Sequence, residues 1–129
     1  MPLTVSILDE TTGGERRSAG DFEFATPTAT LREIIRHRVQ QEVERFNQSD
    51  AELFRGIVRP EETERMLNGV RQRPVLDWQQ QYAKALASFE ANGFVVFLGD
   101  RQITGLDEPL RLAAHTKLTF LKLVPLIGG

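Results

Sequence analysis

The strongest constraint on the fold is one amphipathic stripe. From Thr30 to Asn47, apolar residues fall at Leu31, Ile34, Ile35, Val39, Val43 and Phe46. That spacing places them on one side of a helix, which must be buried. Thr30 followed by Glu33 has the form of a capping box and fixes the start. Pro27 precedes it harmlessly. Arg32, Arg36, Glu42 and Glu44 are expected on the solvated side.

Strand signals flank this helix. Leu3, Val5 and Ile7 alternate with Thr4 and Ser6, and Phe22 and Phe24 alternate within Asp21 to Ala25. Alternation of this kind marks strands with one buried face. Thr11 to Gly14 supplies the turn of an N-terminal hairpin. Phe94 to Leu98 is an apolar run, Gly99-Asp100 a turn, and Gln102-Ile103 a short strand. Leu106 to Leu112 is read as a loop, and Lys117 to Val124 as the last strand. Strands at both ends of one main helix indicate an α+β roll with the helix across a mixed sheet.

Residues Gln48 to Arg73 are polar and weakly periodic. Pro60 with Glu61 and Glu62 is expected to open a short helix that ends near Asn68-Gly69. Glu61, Glu62 and Glu64 suit a helix start rather than acid–base chemistry. Arg71 and Arg73 read as solvated. Leu76, Trp78, Tyr82, Ala85, Leu86 and Phe89 mark a further helix, stopped by Asn92-Gly93. The expected organisation is one domain over residues 1–129, with a helical insertion at 48–92 and a flexible tail at 125–129.

The 129 residues carry a formal net charge of -2, with 40% hydrophobic and 26% charged. This balance gives no electrostatic case for nucleic acid or an anionic membrane as partner. Without cysteine there is no disulfide, thiolate metal site or thiol nucleophile. His37 and His115 lack a ligand at metal spacing, so no metal is expected. Gly13-Gly14 has no following Gly-Lys-Ser/Thr, so no phosphate loop of its own is expected. The opening MPLTVSILDE lacks the pattern of a signal peptide. No apolar run approaches the roughly 20 residues of a membrane helix. A cytoplasmic protein that is not an enzyme is the expectation.

The chain closes on LVPLIGG. Leu126 and Ile127 are unusual in an inert tail. Glycine lets a backbone thread where no side chain fits. The segment VVFLGDRQITGLDEPLRLAAHTKLTFLKLVPLIGG resembles the C-terminal half of a ubiquitin-like β-grasp domain. TLREII is similar to that family's first helical turn. Pro125 before Gly-Gly and the step Asp107 to Leu110 also resemble the sulfur carriers of the thiamine and molybdopterin pathways. The resemblance covers the first and last thirds of the chain. The insertion is a departure from compact members.

The resemblance implies a ubiquitin-like β-grasp roll, with a mixed sheet of four to five strands packed on one main helix. It implies a protein modifier whose Gly129 carboxylate, next to Gly128, is adenylated with ATP by a partner activating enzyme. Conjugation to target proteins through an isopeptide bond would follow, with a conjugating enzyme and a deconjugating protease as further partners. Val124, Pro125, Leu126 and Ile127 would thread into the activating enzyme. ATP would belong to the partner, leaving this chain without a cofactor.

Two alternatives stand beside it. One is a sulfur carrier with a C-terminal thiocarboxylate. The other is a non-covalent module whose Gly-Gly is incidental. The last strand and Phe94 to Leu98 are apolar on both faces, so the second sheet face needs a cover. That cover is either the helix bearing Trp78, Tyr82 and Phe89 or a docked partner. Val96, Leu98, Leu121 and Leu123 are the expected docking residues.

Overall fold

A computed structural model describes residues 3–48, 75–114 and 116–123. It is α+β, with a mixed five-stranded sheet and two helices. In chain order the elements are β1 (Leu3–Thr11), β2 (Arg16–Phe24), β3 (Thr28–Thr30) and α1 (Leu31–Gln48), then α2 (Trp78–Glu90), β4 (Phe94–Leu98), β5 (Arg101–Ile103), β6 (Pro109–Arg111) and β7 (Lys117–Lys122). Two compact units emerge: Met1–Ile34 with Phe89–Gly129, and Ile35–Ser88. The helix expected after Pro60, the residues Arg71, Arg73 and His115, and the tail from Val124 to Gly129 lie outside the described residues.

The first unit holds the sheet, in the order β2-β1-β7-β4-β5. β1 and β7 run parallel at its centre, and the other neighbours are antiparallel. The hairpin turn is tied by the Thr11 N–H to the Glu15 carbonyl at 2.9 Å. β2 is longer than the alternation around Phe22 and Phe24 suggests. Its first half is polar and rests on the ladder to β1 rather than on burial. A bulge interrupts that ladder between Ile7 and Leu8, and Gly20 opposite takes a φ of 104° that other residues resist.

One sheet face forms this unit's core. Val5, Ile7, Phe22, Phe94, Val96, Ile103, Leu118 and Phe120 are all at most 2% exposed. The rings of Phe89, Phe94 and Phe120 stack in series, with centroids 5.8 and 5.9 Å apart. Such tilted pairs add to the area they bury.

The segment read as a loop from Leu106 to Leu112 contains β6, which pairs with β3 as a small second sheet. The Leu112 N–H extends this pairing to the Pro27 carbonyl. Two three-residue strands carry too few alternations to show a period. β3 runs straight into α1, where the Thr30 hydroxyl accepts the Glu33 N–H at 3.2 Å and donates to the Glu33 carboxylate. The capping box is therefore formed through the hydroxyl.

The second unit holds the remainder of α1 and most of α2. Ile35, Val39, Val43, Phe46, Leu76 and Ala85 are buried. So is Arg38, at 1% exposure, at the stripe position between Ile34 and Phe46. It pairs with Glu42 at 3.3 Å, whose side chain is only 19% exposed. The expectation of a solvated Glu42 is thus corrected, because it sits four residues from the buried guanidinium. At its far end α2 stops before Asn92, which takes a φ of 62° and donates its N–H to the Phe89 carbonyl. This is the left-handed stop that Asn permits. Among the described residues, no helix is long and apolar enough to cross a membrane.

Candidate functional site

Strand register decides which apolar residues share the second sheet face. β4 pairs with β7 so that Val95 faces Leu121, Val96 faces Phe120, Phe97 faces Thr119 and Leu98 faces Leu118. Paired residues point to the same side. Val96 and Leu98 therefore belong to the core face, and Val96 is fully buried. The docking set of Val96, Leu98, Leu121 and Leu123 is corrected by this phase. Leu121 and Leu123 lie on the opposite face, which they share with Val95 and Phe97.

The resulting face has two rows. Ser18, Leu8, Thr119, Phe97 and Gln102 lie in register across all five strands. Arg16, Glu10, Leu121 and Val95 form the next row, with Arg16 Nε 3.2 Å from Glu10 Oε1. Leu8, Val95, Phe97 and Leu121 are half-buried. They form an apolar band with an ion pair at one end. The sequence could not reveal the phase of β4, because β4 and β7 are not joined by a turn that sets register.

The described chain leaves the sheet at Leu123, which is 41% exposed. Its N–H donates to the Gly93 carbonyl at 3.2 Å, one residue past the β4–β7 ladder. The exit from the central strand is thus fastened on one side. Beside it a groove of about 470 Å³ is lined by Phe89, Asn92, Val95, Gln102, Arg32 and Asp107, among others. Phe89 meets Phe94 on the core face, not the apolar band.

The Asp107 to Leu110 step has a structural role. Arg32 grips Asp107 with two hydrogen bonds, Nε to Oδ1 at 2.9 Å and a terminal nitrogen to Oδ2 at 3.3 Å. The Arg32 N–H also donates to the Leu106 carbonyl, so this loop closes over the first turn of α1. The Arg32 hydrogen bond, helped by its charge and opposed by lost hydration, holds the Asp107 carboxyl below its ordinary range. Arg101 pairs with Glu108 next to it.

In the helical unit a larger groove, about 640 Å³, is lined by His37, Gln41, Asn47, Leu76 and Trp78, among others. Burial, reinforced by Arg36, lowers the pKa of His37. Its Nε2 lies 3.0 Å from Gln41 Nε2. Among the described residues, no group of three His, Cys, Asp or Glu comes together as metal ligands. Gly128, Gly129 and the threading residues Val124, Pro125, Leu126 and Ile127 lie outside the described residues.

Set against protein-family models, curated proteins and solved structures, the chain matches none.

Proposed function

We propose that this chain is a ubiquitin-like β-grasp protein modifier, acting through the carboxylate of Gly129. The observation that carries the reading is the position of β7. It is the central strand, parallel to β1, and its exit is fastened at Leu123, directly before VPLIGG. A reactive end on such a strand is held by the most buried part of the sheet. The strand order and the capped helix after the first hairpin also fit a β-grasp roll.

A partner enzyme would bind ATP and adenylate the Gly129 carboxylate. This chain contributes the acyl group, a tail slim enough to thread, and an apolar band for docking. Pro125 has no N–H to extend the ladder, which suits a tail leaving the sheet. Passing the acyl group to an amine makes the chain a modifier. Passing it to a sulfur donor makes it a carrier.

The test is made in the native host with an N-terminally tagged chain, intact or lacking Gly129. Denaturing blots and intact mass are read together. Covalent species of higher mass that vanish with the truncation are expected. A free chain with its terminal oxygen replaced by sulfur would instead make it a carrier. Identical, unmodified behaviour of both forms would leave only the non-covalent role of the apolar band.

A further inference from the structure

We infer that the outer edge of β2 is a pairing surface for a second copy of this chain. The two β2 strands join antiparallel about a two-fold axis between Ala19 and Gly20. Such a dimer is independent of the modifier reading.

The five-stranded sheet has two edges, β2 and β5. β5 is three residues long, which blunts it as a template. β2 has nine residues and no proline. Among the described residues, no strand pairs with its outer side.

The hydrogen bonds of β1 show which β2 residues present their backbone outward. Ser6 and Thr12 donate their N–H groups toward β7, to the Thr116 and Lys122 carbonyls at 3.3 and 3.1 Å. Thr11 donates the other way, to Glu15. In the antiparallel hairpin, residues that face the neighbouring strand alternate with residues that face away. Thr4, Leu8 and Glu10 therefore turn from β2 as Ser6 does. Their β2 partners are Glu23, Ser18 and Arg16, with Asp21 opposite Ser6. These residues direct N–H and C=O away from β1. All are exposed, and their side chains share the face of the apolar band.

Charge along this edge is self-complementary. Arg16 and Arg17 stand at one end, Asp21 and Glu23 at the other. Antiparallel pairing about the axis sets Arg16 against Glu23 of the second copy, and Ser18 against Asp21. Both pairs join outward backbone groups and side chains on one face. Parallel pairing in register would set each arginine against itself. The Arg16 side chain is 75% exposed beside Glu10, so its guanidinium is open to a second carboxylate. The Ser18 hydroxyl accepts the Gly20 N–H at 3.3 Å, which leaves its own proton for Asp21 of the second copy.

A bulge ordinarily guards an edge. Here it creates the register. Ala19 is left over where Leu8 pairs with Ser18 and Ile7 with Gly20. That extra residue shifts the alternation by one and brings Arg16 and Glu23 onto the same face. On the axis the two bulges oppose each other, so each strand spans the gap with Ala19 and Gly20.

Such an edge buries little surface, so a weak dimer is expected. Sedimentation equilibrium of the full chain from about 10 μM to about 1 mM should show monomer passing to dimer. R16E and E23R each set like charges together at both symmetric pairs. Each alone should stay monomeric over that range. Mixed in equal amounts, they regain both opposite-charge pairs and should form a heterodimer, which misfolded chains could not. Amide exchange of the wild type locates the contact without any substitution. The N–H groups of Arg16, Ser18, Asp21 and Glu23 should exchange more slowly as concentration rises, and those of β5 should not. Four outcomes overturn the inference: a wild-type monomer throughout, a dimer that both variants keep, folded variants whose mixture stays monomeric, or protection that rises elsewhere and not on β2.

Discussion

The two units treat polarity in opposite ways. Among the described residues, the buried side chains of the sheet unit are all apolar. The helical unit buries Arg38 and Gln81, each 1% exposed. The sheet unit can afford an apolar core because β1, β4 and β7 satisfy one another's backbone and fix their own register. Helices have no such ladder to a neighbour, so position within the helical unit must come from side chains. Asn47 shows how. Its amide accepts the Leu76 N–H and donates to the Leu76 carbonyl, both at 3.0 Å. This copies one rung of a ladder across 29 positions of sequence.

The contrast predicts where substitution costs most. Phe120→Ala removes a fully buried ring stacked on Phe94. The neighbouring strands cannot collapse without breaking the ladder. A loss of about 3–5 kcal/mol is expected, read from urea unfolding. A loss below about 1 kcal/mol would mean that the sheet core is plastic.

The next effect belongs to the helical unit. Asn47→Ala strands both polar groups of Leu76, a residue 6% exposed. The expected cost is roughly 1–3 kcal/mol. Asn47→Asp keeps the acceptor, loses the donor and should fall between. If Asn47→Ala unfolds at the wild-type urea midpoint, side-chain rungs do not order this unit.

These differences also mark what could be read from the sequence. The α1 stripe and the β1 alternation were legible because several residues in each agree on one face. Arg38 was hidden by its charge, yet it stands four residues after Ile34, where the stripe calls for burial. The phase of Val95 and Phe97 was not legible, since long-range pairing sets it. Neither was Asn47, because nothing local distinguishes an amide that will meet a backbone 29 residues away. The strands β3 and β6 were too short to announce themselves.

Acid should separate the two units, with the smallest effects of this series. His37 and Asp107 both have pKa values lowered in the folded state, by unlike causes. For each, the unfolded chain binds the proton more readily, so stability is lost as pH falls. For His37 the loss begins near its ordinary value of 6.5 and is complete below the lowered folded value. For Asp107 it begins only near 3.8. Between neutrality and about pH 5, therefore, the His37 contribution falls while the Asp107 contribution is kept. The difference in urea midpoint between wild type and His37→Gln should shift against the wild type across that window. Asp107→Asn should track the wild type there and diverge only in stronger acid. A wild-type advantage over His37→Gln that grew on acidification would mean that the folded protein favours the imidazolium. Burial would then not be what sets the charge of His37.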